Sequence, residues 1–264
     1  MSLIAFTAAM RRELAGIERI LAGKRLLNHR FPYGVEGEYR GTKVLLATTG
    51  IGGGNVEEMV SSMAESYRPD ILISLGYAGA ASEGLRVGDL VLCSRASFLD
   101  DVTETRPGAA GGHEISTDPT LENLALEALQ QAELVFHKGG CVTVIHLVGD
   151  PETKRRIGKQ WGVLAIDMEG CWMAQAAVSQ GLPFLGIRAI TDTVTQRLPD
   201  LSGLINGDGG ISVLGSLAHA LGHPTDIYRM ARLGWHSRLA SRNLTRFALS
   251  FLTLNRSVQD RRQS

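Results

Sequence analysis

The sequence predicts an α/β domain whose sheet is covered by helices on both faces. Three observations carry this. Short apolar runs of four to seven residues alternate with segments of helical periodicity along the chain. The runs are nearly continuously apolar, as strands buried on both faces are. The 264 residues are 44% hydrophobic with no composition break in the first 220, which suits one large domain.

Taken in order, Leu3–Phe6 reads as a strand and Met10–Leu21 as a helix. Lys43–Thr48 is a strand running into the glycine-rich segment Thr49–Gly54, after which Val56–Ser66 is helical. Ile71–Leu75 is a buried strand ending at Gly76, and Asp89–Cys93 is another. Leu121–Gln131 is helical and Cys141–Leu147 a strand. Pro151 opens the next helix at its first position, where a missing N–H costs nothing. Val163–Ile166 and Phe184–Ile190 are strands separated by a helix over Met168–Gln180. Pro107–Gly112 reads as a flexible surface loop. After Pro224, Ala240, Leu244, Phe247, Phe251 and Leu254 fall at helical spacing beside a row of Arg238, Arg242 and Arg246. The expected organisation is a body over 1–224 and a basic amphipathic helical extension over 225–264.

Composition narrows the function classes. Formal net charge is zero, with 27 basic and 27 acidic residues, so charge gives no reason to expect nucleic-acid binding. From Thr225 onward there are eight Arg against two Asp, so a body of net charge −6 carries a basic tail. Three cysteines without CxxC spacing argue against a disulfide framework or a zinc site and fit a reducing cytoplasm. The seven histidines show no metal-ligand spacing, and no serine sits in a nucleophile elbow. No basic n-region precedes an apolar run and no apolar run approaches 18 residues, so neither a signal peptide nor a membrane span is expected.

In open α/β sheets ligands sit beyond the carboxyl ends of strands. Four segments there carry polar or glycine-rich residues. Glu13 follows the first strand, in a first helical turn where the dipole favours an acid in any case. Thr49–Gly54 offers glycines for close approach and helix-start amides for an anion. It lacks the Gly-Lys-Ser/Thr of a phosphate loop and, with Asn55 in place of the last glycine, the dinucleotide fingerprint; it is equally a tight turn. Asp167 and Glu169 flank Met168 at a strand end, where Glu169 is placed to accept hydrogen bonds from a ribose cis-diol or simply to start a helix. Asp192 ends the strand Phe184–Ile190 among apolar neighbours. Burial there favours the protonated form that a general acid requires; an N-cap or Asx-turn is the alternative.

The order A-M-x-x-E, T-G-I-G, L-G-x-A-G, D-M-E-G and R-A-I-T-D, over residues 3–220, resembles the purine and uridine phosphorylase family, especially its methylthioadenosine/S-adenosylhomocysteine nucleosidase branch. The resemblance implies a three-layer αβα sandwich around a twisted mixed sheet, a homo-oligomer, a nucleoside substrate and no cofactor, with phosphate a co-substrate only in a phosphorylase. It aligns Glu13 with the acid that positions the attacking water, Glu169 with the carboxylate gripping the ribose hydroxyls, and Met168 with the residue beneath the sugar. Asp192 aligns with the acid that protonates N7 of the departing purine. Gly50, Ile51, Gly76 and Tyr77 fall on the family's binding loops. Such chemistry, an acid on one side of an oxocarbenium-like sugar and a water-guiding carboxylate on the other, parallels inverting glycosidases.

Departures from the pattern matter as much. Where the phosphorylases hold phosphate with an arginine, Ser74 stands here, which favours hydrolysis; Arg11 and Arg12 lie near enough to replace it, so phosphorolysis stays open. Pro151 and Glu152 replace an aromatic that stacks on adenine, and Tyr77 replaces a small residue. Gly149-Asp150-Pro151-x-x-Lys154, the Gln196–Pro199 stretch and the Arg-rich C-terminal helix resemble the hopanoid-associated branch. That implies release of adenine from adenosylhopane, a membrane lipid precursor. The expected location is the cytoplasm, with the C-terminal helix either resting on the inner membrane face or packed on protein. A nucleoside-binding or scaffold protein without turnover is the non-enzymatic alternative.

Overall fold

A computed structural model of the chain describes residues 2–27, 31–102, 114–198 and 224–263. The expected loop Pro107–Gly112 and residue Pro199 lie outside them. The strands are β1 (Leu3–Ala8), β2 (Ala22–Leu26), β3 (Tyr33–Tyr39), β4 (Thr42–Thr48), β5 (Ile71–Ala80), β6 (Leu90–Leu99), β7 (Ile115–Ser116), β8 (Phe136–Val144), β9 (Val163–Asp167) and β10 (Phe184–Asp192). The helices are α1 (Arg11–Ile20), α2 (Val56–Tyr67), α3 (Pro119–Gln131), α4 (Pro151–Trp161), α5 (Gly170–Ser179) and α6 (Pro224–Gln263).

The strands form one mixed sheet in the order β10-β6-β8-β9-β5-β1-β4-β3-β2, with β7 beside β6. β5 is its hub. It runs parallel to β1 and to β10, and its last residues pair antiparallel with β9 (Gly79↔Ile166, Ala80↔Ala165). Strands β5, β10, β6, β8 and β9 therefore close into a ring from which β1, β4, β3 and β2 extend. Helices α1, α3 and α6 cover one face through Leu14, Ile17, Leu121, Leu129, Leu244, Phe247 and Phe251. Helices α2 and α5 cover the other through Met59, Val60, Met63, Met173 and Ala177. This is the expected three-layer αβα sandwich.

Local sequence explains the helix starts that matter. Asp118 caps α3 through Thr120 and Leu121, and Asp150 caps α4 through Thr153 (2.9 Å), each followed by proline at the first helical position. The expected strand end at Leu75 is corrected: β5 continues through Gly76 to Ala80 because β10 pairs with it residue by residue, from Leu72 to Gly79. The hairpin β2–β3 at the sheet edge has no apolar run to announce it, since β2 is exposed throughout.

The C-terminal helix takes one of its two expected places, packed on protein. Ala240, Leu244, Phe247, Ala248, Phe251 and Leu252 are fully buried in the same core as Phe6, Leu14 and Ile187. The apolar stripe of α6 thus belongs to the protein interior and is not free to face a lipid surface. Periodicity in the sequence reveals that such a stripe has a partner, not which one. No described helix is long and apolar enough to cross a membrane.

Candidate active site

The carboxyl ends of β1, β9 and β10 each deliver an acid, and the bonds each acid makes separate its role from that of a helix cap. Glu13 is buried on α1. Its Oε2 accepts from the amide of Met10 at the helix start (2.7 Å), which is the capping part of its work. Its Oε1 accepts from the amide of Tyr77 on β5 (3.0 Å), which is not. Burial pushes its pKa up to about 7, against the lowering effect of those two amides.

Beyond β9, Asp167 and Glu169 divide the labour. Asp167 is fully committed to the interior. Its Oδ2 accepts from Arg188 Nε (2.5 Å) and from the amide of Gly170 (3.0 Å), and its Oδ1 from Thr143 Oγ1 (2.6 Å). A side chain at Gly170 would strike both Asp167 and Arg188, so glycine is required there. Arg188 in turn donates to Ser74 O (3.0 Å) and Ser74 Oγ (3.1 Å), so one ion pair ties β10, β9, β8 and β5 together. Removing either partner would strand a buried charge.

Glu169, half-buried, makes no cap bond although it sits at the N-cap of α5. It reaches across to the glycine-rich segment, where its Oε1 accepts from the amide of Gly52 (2.8 Å). Burial, and then the nearby charge of Asp167, push its pKa up to about 8, and Glu13 is close enough to add to the effect. The anion that meets the Gly52 amide is therefore the protein's own.

Asp192, at the end of β10, is buried. Its Oδ1 accepts from Thr191 Oγ1 (3.1 Å) and its Oδ2 from Lys154 Nζ (2.5 Å). Burial raises its pKa, with Lys154 the main opposing influence. A methyl group on Gly79 would lie 2.9 Å from Asp192 Oδ2, so the bare glycine makes room for the acid.

Two hollows meet at Met168. One is lined by Gly79, Val144, Leu147, Val148, Lys154 and Asp192 among others, the second by Gly52, Gly53, Gly54, Ile145 and Trp172. Met168 and Val144 line both. The arrangement offers an acid over an apolar floor, a carboxylate beside a glycine wall and a third carboxylate of pKa near neutrality. The remaining expected site residues have definite places. Gly50 forms the turn after β4, its amide bonded to Ala9 O (3.1 Å), and Ile51 follows it, partly buried. Gly76 faces Arg188 on β5. The side chain of Tyr77 turns to α6, where its hydroxyl bonds Ser237 O (3.2 Å) and Ser241 Oγ. Arg11 pairs with Glu18 (2.9 Å) and Arg12 lies over the Tyr77 ring.

Lys154, noted in the sequence only as the end of the Gly149–Lys154 stretch, was given no place in the site. The signal was available: a cation in the first turn of a helix opposes the dipole and asks for a carboxylate.

Residues 3–204 match the family model of the phosphorylase superfamily. The chain is 32% identical over 174 residues to 5′-methylthioadenosine/S-adenosylhomocysteine nucleosidase of Listeria monocytogenes serotype 4a, covering 61% of this chain and 73% of that one. It is 27% identical over 197 residues to the same enzyme of Staphylococcus epidermidis, covering 72% and 86%. Among solved structures it is similar to that nucleosidase from Neisseria meningitidis (TM-score 0.75, 20% identity, 96% and 99% covered). It is also similar to futalosine hydrolase of Helicobacter pylori (TM-score 0.74, 17% identity, 96% and 97% covered).

Proposed function

Because the chain belongs to the phosphorylase superfamily, we propose that its reaction is hydrolytic release of adenine from an adenosyl substrate. Cleavage of a purine N-glycosidic bond is the chemistry its nucleosidase relatives support. The observation that carries the reading is the separation of three carboxylates by environment: Glu13, held by two amides, Glu169, facing a glycine wall, and Asp192, beside a lysine in an apolar hollow.

In this reading the purine sits in the hollow lined by Gly79, Val144, Val148 and Asp192, and the ribose lies over Met168. Glu169 takes the ribose hydroxyls. Asp192 protonates the base as the C1′–N bond breaks, and the positive charge that develops on the sugar is met by water that Glu13 orients and deprotonates. A base of pKa about 7 is matched to neutral pH.

Hydrolysis is favoured over phosphorolysis by how the nearby cations are spent. Arg188, buried, is held by Asp167 and Ser74, and Arg11 pairs with Glu18 at the surface, which leaves Arg12, over the Tyr77 ring, as the cation through which phosphorolysis stays open. The partly exposed Ile145 and Leu147 and the neighbouring Trp172 give an apolar rim suited to a hydrophobic 5′ substituent. Together with the resemblance of Gly149–Lys154 to hopanoid-associated enzymes, this favours adenosylhopane over small thioether nucleosides.

The test is product analysis by liquid chromatography and mass spectrometry. Purified protein is incubated with detergent-solubilised adenosylhopane, methylthioadenosine or futalosine, with and without phosphate. Free adenine and a ribosyl lipid in both buffers are expected from adenosylhopane. A strict phosphate requirement would make the enzyme a phosphorylase. Turnover of a soluble nucleoside alone would overturn the lipid substrate and keep the nucleosidase.

A further inference from the structure

Lys154 is 1% exposed, in the first turn of α4, where it faces the positive end of the helix dipole. Burying an ammonium there is costly, and an apolar side chain would pack at lower cost. Its three N–H donors are all directed. One goes to Asp192 Oδ2 (2.5 Å), one to Gln196 O (2.9 Å) and one to Thr193 O (3.4 Å). The last two acceptors belong to the segment that leaves β10 directly after Asp192. Lys154 and Asp192 line the same hollow, and Thr191 occupies only one lone pair of the other carboxylate oxygen. The lysine is thus fixed to the acid from behind, with the acid left open toward the hollow.

We propose that Lys154 is a positioning residue and proton reservoir for leaving-group departure: it aims Asp192 and shares with it the proton that Asp192 passes to the base. The inference rests on the assignment of Asp192 as the acid. The pair holds one transferable proton, as ammonium with carboxylate or as amine with carboxylic acid. When the C1′–N bond breaks, its electron pair goes to the base, and a ring nitrogen takes that proton from Asp192. The pair is left as amine and carboxylate. The attacking water gives its own proton to Glu13. On product release Glu13 returns a proton to solvent and the Lys154–Asp192 pair takes one up, so the cycle closes with no other reactant.

The experiment compares the wild-type protein with Lys154→Met, Lys154→Ala and Asp192→Asn on two substrates. One is an adenine nucleoside, whose base leaves protonated. The other is 4-nitrophenyl β-D-riboside, whose nitrophenolate leaves without a proton. Lys154→Met and Asp192→Asn should each lower nucleoside kcat by about 10²- to 10³-fold, while the riboside changes by less than about threefold. Ethylammonium in the buffer should restore part of the nucleoside activity of Lys154→Ala, which filling a hole alone would not do if propane-sized neutral additives fail. Equal loss on both substrates without amine rescue would make Lys154 a packing residue and overturn the proposal. Unchanged nucleoside kcat in Lys154→Met would overturn it as well. If Lys154→Met does not fold, Lys154→Gln, which keeps a donor of similar length, carries the same comparison. Wild-type protein that releases base from no nucleoside would refute the nucleosidase reading itself, an outcome distinct from all of these.

Discussion

The amide of Tyr77 donates to Glu13 at 3.0 Å while the hydroxyl of the same residue is held by α6. Ser241 of that helix also donates to Arg12 O (3.1 Å), and His236 Nδ1 lies 2.8 Å from Thr191 O, next to Asp192. The C-terminal helix therefore braces both ends of the candidate site, and a basic tail in the sequence is a structural wall in the fold.

Phe247→Ala and Phe251→Ala should each destabilise the protein by about 3–5 kcal/mol, as truncation of a fully buried aromatic does. Urea denaturation measures this. Losses below about 1 kcal/mol would mean that α6 is not part of the core. Binding to anionic liposomes should be no weaker in these variants than in wild type, because the two rings face the core.

Activity should rise along an acid limb with a midpoint near 7, as Glu13 loses its proton. In Glu13→Gln the limb should vanish and kcat fall by about 10²- to 10⁴-fold. The pH dependence of kcat/KM and of kcat, measured for both proteins, checks this.

Stability should move the other way. Glu13 and Glu169 have pKa values raised from 4.5 to about 7 and about 8 by burial. Between 4.5 and those values the folded chain holds protons that the unfolded chain has released. Stability is thus greatest below 4.5 as far as these groups go, and falls as pH rises toward 8. Glu13 alone contributes on the order of 3 kcal/mol to that fall. Thermal unfolding of the wild type and Glu13→Gln across this range should show a flatter slope in the variant.

Gly79→Ala should cost turnover more than stability. Its methyl would press on Asp192 Oδ2, and displacing an acid by about 1 Å costs on the order of 10²-fold in rate. Steady-state kinetics with a parallel melting curve separates the two effects.

The legible part of this protein was its periodic part. Apolar runs placed β1, β4, β9 and β10 to within two residues at each end, and Pro151 marked the start of α4. Glu13, Glu169 and Asp192 could be singled out as candidates because they follow strand ends. The extension of β5 through Leu75-Gly76-Tyr77-Ala78-Gly79 was not, since glycines signal a turn locally and only pairing with β10 holds them extended. Nor was the Lys154–Asp192 contact, made across 38 residues by two elements whose approach is set by the ring of strands. The destination of the α6 stripe was hidden for the same reason.

The hub strand acts as a ruler. Tyr77, whose amide fixes Glu13, and Gly79, whose missing side chain admits Asp192, stand two residues apart on β5 and so about 7 Å apart along it. The distance between the Glu13 and Asp192 ends of the candidate site is therefore counted in pleats of one strand rather than set by loops. Walls such as Ile145, Leu147 and Trp172 are free to diverge toward new substrates without altering that interval. An inserted or deleted residue within Gly76–Gly79 has no such freedom, because it would shift one end of the chemistry by a whole peptide and turn its neighbour to the opposite face.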